Sequence, residues 1–245
     1  MYDLHLVKFY KMIRICFFLT FIISNPCKAE TPRILEHTGG DISSSFANWP
    51  VLILAGGIAA AAISHPFDDN VQQYFADHHF SATFDDIGNW AGNPYILGSA
   101  SVLVYGTSLL TKNEDFQRTS ETMLEALIFN SVMTEGLKYS FGRTRPNGGN
   151  HSFPSGHTST MFTIASVLQS MEGWQYGVPT YVAATAIAFS RLDANRHFLS
   201  DVVFGAALGS CIGWGTSRFH KKDTTRLMIS PILDETRGVM LTYKF

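Results

Sequence analysis

A chain of 245 residues in which 46% are hydrophobic and 16% charged has the length and apolar content for one domain with a substantial core, which excludes a disordered chain. A formal net charge of −2, with no stripe of Lys and Arg, excludes nucleic acid as a partner, so any anion has to be met locally. At the start of the chain Lys8, Lys11 and Arg14 precede the apolar ICFFLTFII, and Cys27 and Ala29 are small residues ahead of Glu30. This is the pattern of an export signal over residues 1–29, with Met12 as an alternative start, leaving residues 30–245 as the mature domain. The competing reading is an uncleaved anchor helix, but the apolar core is shorter than the roughly 20 residues that span a bilayer. Cleavage would leave Cys211 as the only thiol, set among small residues in FGAALGSCIGWG, where a buried and inert side chain is expected.

Six later segments have helical length and apolar content: residues 51–64, 95–112, 120–140, 157–171, 177–190 and 198–217. Turn residues separate them in HPFDDN, AGNP, TKNED, RPNGGNHSFPSG and RLDANR. An all-α, single-domain, six-helix bundle is predicted. In the last stretch, GVMLTYKF, Val239, Leu241, Tyr243 and Phe245 alternate along one face, which predicts a strand paired with LMISPIL across DETRG as a short β-hairpin-like tail. Apolar runs such as VLILAGGIAAAAIS fall short of spanning length, and the mean hydropathy is only +0.07. Small residues crowd AGGIAAAA, LGSAS and GAALGS, which predicts close helix packing in water or in lipid. Both settings stay open at this point.

Three stretches carry the chemistry. In SFPSGHTST, Pro154 and Gly156 punctuate the chain and Ser155 or Thr158 can cap a helix that starts near His157. Free N–H groups of a first helical turn attract anions, and Gly156 lets backbone approach a ligand closely. A capped helix with a chance histidine is the competing reading. In KYSFGRTRP, Lys138 closes a helix, Gly142 breaks it and Pro146 holds Arg145 in extended backbone, so an ammonium and a guanidinium can converge. In SRLDANRHFLSD, Arg191 ends a helix and His197 and Asp201 stand four apart, on one face if the last helix has begun by His197.

Together these stretches resemble the superfamily of type 2 phosphatidic acid phosphatases and vanadium-dependent haloperoxidases. Its signature is a Lys followed by Arg-Pro, then Pro-Ser-Gly-His, then Ser-Arg with a later His and Asp. Every element is present over residues 138–201. The resemblance implies that His197 attacks phosphorus, that Asp201 orients and stabilises its imidazole, and that His157 serves as general acid and then base. It also implies that Lys138, Arg145, Ser155, Gly156 and Arg191 hold the phosphoryl oxygens. No cofactor and no metal are expected, because fixed cations take that role and the chain lacks a Walker loop or a zinc-spaced histidine pair. With His197 neutral and His157 protonated, a bell-shaped pH profile around roughly 6.5 is expected.

The implied activity is an exported, membrane-associated phosphatase of the bacterial cell envelope acting on a lipid phosphate: phosphatidate, polyprenyl pyrophosphate or lipid A. A soluble periplasmic acid phosphatase acting on small esters, a haloperoxidase and a non-catalytic envelope protein are the alternatives. Elsewhere, Asp68, Asp69 and the FADHHFSATFDD stretch with His78, His79, Asp85 and Asp86 read as solvated loop rather than a metal site. Arg143 and Arg196 are expected either to add positive potential or to lie on the surface, and His151 to approach substrate. Trp90, Trp174 and Trp214 are expected in core packing, with a membrane interface as the other reading.

Overall fold

The computed structural model describes residues 44–46 and 49–222, and beyond them the backbone of two strands. The expected signal, residues 1–29, lies outside the described residues. The chain divides into Met1–His37 and Thr38–Phe245, and the fold described is that of the second unit.

Its helices are α1 (Trp49–Ser64), α2 (Asp68–Asp77), α3 (Ala82–Ala91), α4 (Pro94–Ser108), α5 (Glu114–Phe141), α6 (Gly156–Met171), α7 (Trp174–Asp193) and α8 (Leu199–Lys222). A 3-10 turn over His65–Phe67 joins α1 to α2 without a break, making one 29-residue helical stretch, Trp49–Asp77. The six-helix expectation is therefore corrected among the described residues. HPFDDN does not end the first helix, because Pro66 falls in the first turn of the 3-10 segment, where it has no N–H to lose. The stretch FADHHFSATFDD contains α3 rather than an extended loop, and α3 packs on α7. The remaining segments match helices with shifted ends: α5 and α7 are longer than predicted at both ends, α8 runs on to Lys222, and α4 stops at Ser108 rather than 112. Asn113 accepts the Phe116 N–H to start α5, and Asn93 accepts the Tyr95 and Ile96 N–H groups ahead of Pro94 in α4.

Past α8, backbone strands β1 (Leu227–Ile232) and β2 (Gly238–Tyr243) pair antiparallel, with Leu227 opposite Tyr243.

Helix α6 is central, packing against α5, α7 and α8, while α8 also packs along α1. One core cluster joins Ala61, Ala126, Val167, Phe204, Leu208 and Ile212. The small residues of α8 set its distance from α6. A Cβ on Gly205, Gly209 or Gly213 would stand 2.8, 2.1 or 2.6 Å from the carbonyl oxygens of Ser155, Ser159 and Thr163. Three glycines four residues apart thus lay one helix directly on the backbone of the other, as the GAALGS pattern predicts. Hydroxyls buried at this contact bond within α6: Thr163 Oγ1 donates to the Ser159 carbonyl at 2.8 Å. Cys211 is fully buried and its thiol donates to the Ser45 carbonyl.

Among the described residues many large apolar side chains are exposed. Leu52, Ile63, Leu103, Leu110, Val132 and Val182 are each between 65% and 87% exposed. Trp90 and Trp174 are both 68% exposed and not core residues, whereas Trp214 donates to the Tyr181 hydroxyl at 3.1 Å. By length and composition Trp49–Asp77 can cross a membrane.

Candidate active site

The glycine stripe brings the start of α6 against the start of α8. Ser155, the residue before α6, donates its N–H to the Asp201 carbonyl at 3.1 Å, tying Pro-Ser-Gly-His to the turn that carries His197. Helix α5 ends at Gly142, whose φ of 56° is left-handed and whose N–H returns to the Lys138 carbonyl. The following loop folds on itself: the Arg145 N–H donates to Gly149 and the Ser152 N–H to Arg143, each at 2.7 Å.

Lys138, Arg145, Gly156, His157, Arg191 and His197 all line one cavity of about 350 Å³. Six of the eight residues singled out in the sequence thus converge, and the other two stand behind them. Ser155 is fully buried, its Oγ 3.0 Å from Thr158 Oγ1, so its hydroxyl serves the start of the helix rather than the cavity wall. Asp201 is fully buried beneath His197. Gly156 leaves room for the Lys138 ammonium, which a Cβ there would approach to 3.2 Å.

Each cation has a fixed posture. Lys138 Nζ donates to Glu135 at 3.0 Å, and Arg145 Nε to the Asn150 carbonyl at 3.0 Å. Arg191, only 2% exposed, donates to the Asp85 carbonyl at 2.9 Å and to Asn89 Oδ1 at 3.2 Å. Arg196 is exposed and joins the cavity wall, which resolves its two readings in favour of added positive potential. Glu135 and Asn89 also line the cavity and were not singled out in the sequence. Asn89 accepts from His157 Nε2 on its carbonyl at 3.1 Å, leaving Nδ1 as the nitrogen free to gain or lose a proton. It lies 68 residues from His157 on a helix the sequence hides, and no motif marks it. His151 is in the cavity wall, its Nδ1 3.0 Å from the Lys138 carbonyl.

Asp201 stands beside the His197 ring without a hydrogen bond to it. His197 Nδ1 lies 3.7 Å from Asp201 Oδ2, beyond hydrogen-bond length, and has no hydrogen-bond partner. The carboxylate is engaged elsewhere: Oδ1 accepts from Arg143 Nη1 at 2.7 Å, and Oδ2 accepts from the Ser152 hydroxyl and the Phe198 N–H. Arg143 is thus neither a surface residue nor a wall of the cavity. Its other nitrogen donates to Asp68 at 2.8 Å, and Asp68, only 2% exposed, is a buried anion rather than part of a solvated loop. In the FADHHFSATFDD stretch, His79 Nε2 lies 2.8 Å from Asp85 and 3.7 Å from the buried Asp193, an ion-pair cluster joining that turn to α3 and α7.

Both histidines are biased toward the neutral form. Burial, with the Arg191 guanidinium next, pushes His157 down to about 4, and burial also lowers His197. This moves the expected pH profile. A neutral His197 persists to the acid side of the usual histidine range. A His157 neutral in the free site at pH 7 means that the proton for the leaving group arrives with a substrate monoanion. We therefore expect kcat/KM for a phosphate monoester to peak below pH 6.5 and to fall about tenfold per unit above the substrate's second pKa of about 6. A profile flat to pH 9 would contradict it.

A helical bundle with two histidines and fixed cations at converging helix ends has the architecture of the phosphatases named by the motif resemblance. Comparison with known proteins agrees: residues 122–225, a stretch that holds all three motifs, match the model of the PAP2 superfamily. The chain is 31% identical over 163 residues to a lipid A 1-phosphatase of Porphyromonas gingivalis, a match covering 64% of this chain and 35% of that protein. It is 28% identical over 134 residues to a lipid A 4'-phosphatase of Helicobacter pylori, covering 48% of this chain and 64% of the relative. The chain thus spans less than two thirds of the length of either. Two solved structures share the fold. A transmembrane PAP2-type phosphatidylglycerolphosphate phosphatase from Bacillus subtilis matches with TM-score 0.60 and 19% identity, over 71% of this chain and 96% of that one. Aquifex aeolicus LpxE matches with TM-score 0.50 and 22% identity, over 62% and 95%.

Proposed function

We propose that the protein is a metal-independent phosphatase of the bacterial envelope that removes phosphate from a membrane lipid through a phosphohistidine. The observation that carries this reading is the convergence of Lys138, Arg145, Arg191, His157 and His197 on one cavity. The cations hold the phosphoryl oxygens, and the Gly156 N–H at the start of α6 adds a donor. The Nε2 of neutral His197 attacks phosphorus; the P–N bond forms as the ester P–O bond breaks. His157 delivers a proton to the departing alkoxide. In the second half, His157 takes a proton from water, the water oxygen bonds to phosphorus, and the P–N bond breaks to release inorganic phosphate and neutral His197. The charge that a metal would neutralise is met by Lys138, Arg145, Arg191 and Arg196.

A lipid substrate is supported by the exposed apolar side chains and by the printed activities of the relatives, each a phosphatase of lipid A or of a phosphatidylglycerol phosphate. The signal pattern in residues 1–29 motivates a periplasmic site.

The test is phosphate release from phosphatidate, polyprenyl pyrophosphate, lipid A and small soluble esters, with and without detergent and with and without chelator. Release from a lipid phosphate in detergent, unchanged by chelator and inhibited by vanadate, is expected. Strong preference for soluble esters without detergent would replace the lipid reading with that of a soluble acid phosphatase, and loss with chelator restored by a divalent ion would overturn the mechanism.

A further inference from the structure

The Asp68–Arg143–Asp201 assembly lies outside the cavity wall, and of its three residues only Asp201 belongs to the motifs. Arg143 Nη1 donates to Asp201 Oδ1 at 2.7 Å and to Ser200 Oγ at 2.8 Å, and Nη2 donates to Asp68 Oδ2 at 2.8 Å. Its guanidinium carbon stands 4.0 Å from the centre of the Phe198 ring. The Asp68 and Asp201 side chains are 3% and 0% exposed. Asp68 is completed by the Ser200 N–H at 2.8 Å, the Ser200 hydroxyl and His65 Nδ1. One guanidinium therefore fastens α2 to the first turn of α8, and both of its terminal nitrogens are committed to carboxylates, so it is not available to phosphate.

The same contact governs the reacting ring at one remove. Asp201 is the carboxylate nearest His197 Nδ1, yet its oxygens are taken by Arg143, Ser152 and the Phe198 N–H, and it stands 3.7 Å from the ring. We propose that Arg143 is a positioning residue: clamped between Asp68 and Asp201, it holds the Asp201 carboxylate off the resting imidazole of His197 and keeps it near enough to meet the cation formed on phosphorylation. The clamp holds Asp201 through an ion pair with Oδ1 and leaves Oδ2 on the side of the ring. Across the cavity from His197 stand the cations Lys138, Arg145, Arg191 and Arg196 with His151 and His157, and the one carboxylate of that wall, Glu135, is paired with Lys138. Asp201 is thus the one anion whose balance Arg143 can tune there among the described residues. This inference rests on the reading of His197 as nucleophile.

A purely bracing role would alter stability and leave the ring's ionisation alone, so the test reads the ring. Histidine imidazole signals of the full chain in detergent micelles are titrated by NMR in the wild type and in Arg143→Gln, Arg143→Lys and Asp68→Asn, and kcat/KM is followed against pH in parallel. Arg143→Gln removes a positive charge beside Asp201 and is expected to raise the His197 midpoint by about one unit. Asp68→Asn removes a negative charge and is expected to move it the other way. Arg143→Lys keeps the charge and restores the wild-type midpoint, with kcat reduced because an ammonium cannot span two carboxylates as a fork does. Unchanged His197 midpoints in both Arg143→Gln and Asp68→Asn would overturn the proposal. If Arg143→Gln does not fold, Asp68→Asn, nearly isosteric, decides alone. Because the titration needs no turnover, an inactive wild type would refute the phosphatase reading separately from the clamp.

Discussion

Replacing His197 by Ala is expected to lower turnover by about four or more orders of magnitude while the chain stays folded. His197 is 4% exposed and lines the cavity, so removing its ring deletes the nitrogen proposed to attack phosphorus. The remaining ring in the cavity, His157, has its Nε2 held by the Asn89 carbonyl and its basicity reduced by burial and by Arg191. It cannot take over as nucleophile and still supply the proton. The variant loses a ring whose Nδ1 has no hydrogen-bond partner, so no buried polar group is left orphaned by its removal. Phosphate release under single-turnover conditions, with trapping of an acid-labile phosphoryl group on the wild type and its absence from the variant, measures this. A variant retaining activity within tenfold of wild type would remove the phosphohistidine.

Gly209→Ala is expected to destabilise the fold strongly, because α8 and α6 meet backbone to backbone at this glycine. The added Cβ would stand 2.1 Å from the Ser159 carbonyl oxygen and 2.9 Å from its carbon, atoms of a helix backbone that cannot turn aside. Relief requires α8 to slide from α6, which would also separate Asp201 from Ser155 and open the cavity from below. A loss of about 3 kcal/mol is expected, a fall of about 6–12 °C in Tm for a domain of this size. The internal control is Gly98→Ala in α4, where a Cβ meets nothing within 4 Å and the gain in helix propensity is expected to stabilise by about 0.5–1 kcal/mol. Thermal unfolding of the two variants in one detergent distinguishes them. Equal Tm values would mean that the helices are not in backbone contact.

Residues 138–201 carried the candidate site in the open, because the groups that line the cavity sit in short stretches of fixed spacing. Gly142, Pro146 and the turn before His157 announce helix ends, and helix ends are where free N–H groups and cations can face an anion. The α8 glycines were legible as a packing pattern for a similar reason, since residues four apart share a face. What the sequence could not carry was anything decided by partners far along the chain. Asp68 reads as a polar turn residue until Arg143 and Ser200 surround it, and HPFDDN reads as a break until those partners make helix cheaper than loop. Asn89 reaches His157 across 68 residues, and no local period encodes that distance. The four-residue spacing of His197 and Asp201 puts them on one face only if the last helix has begun by His197; it begins at Leu199, and Nδ1 stands 3.7 Å from a carboxylate that accepts from Arg143, Ser152 and the Phe198 N–H. Local spacing fixes which groups can meet, and competition among hydrogen-bond partners, present only once the helices have packed, fixes which of them do.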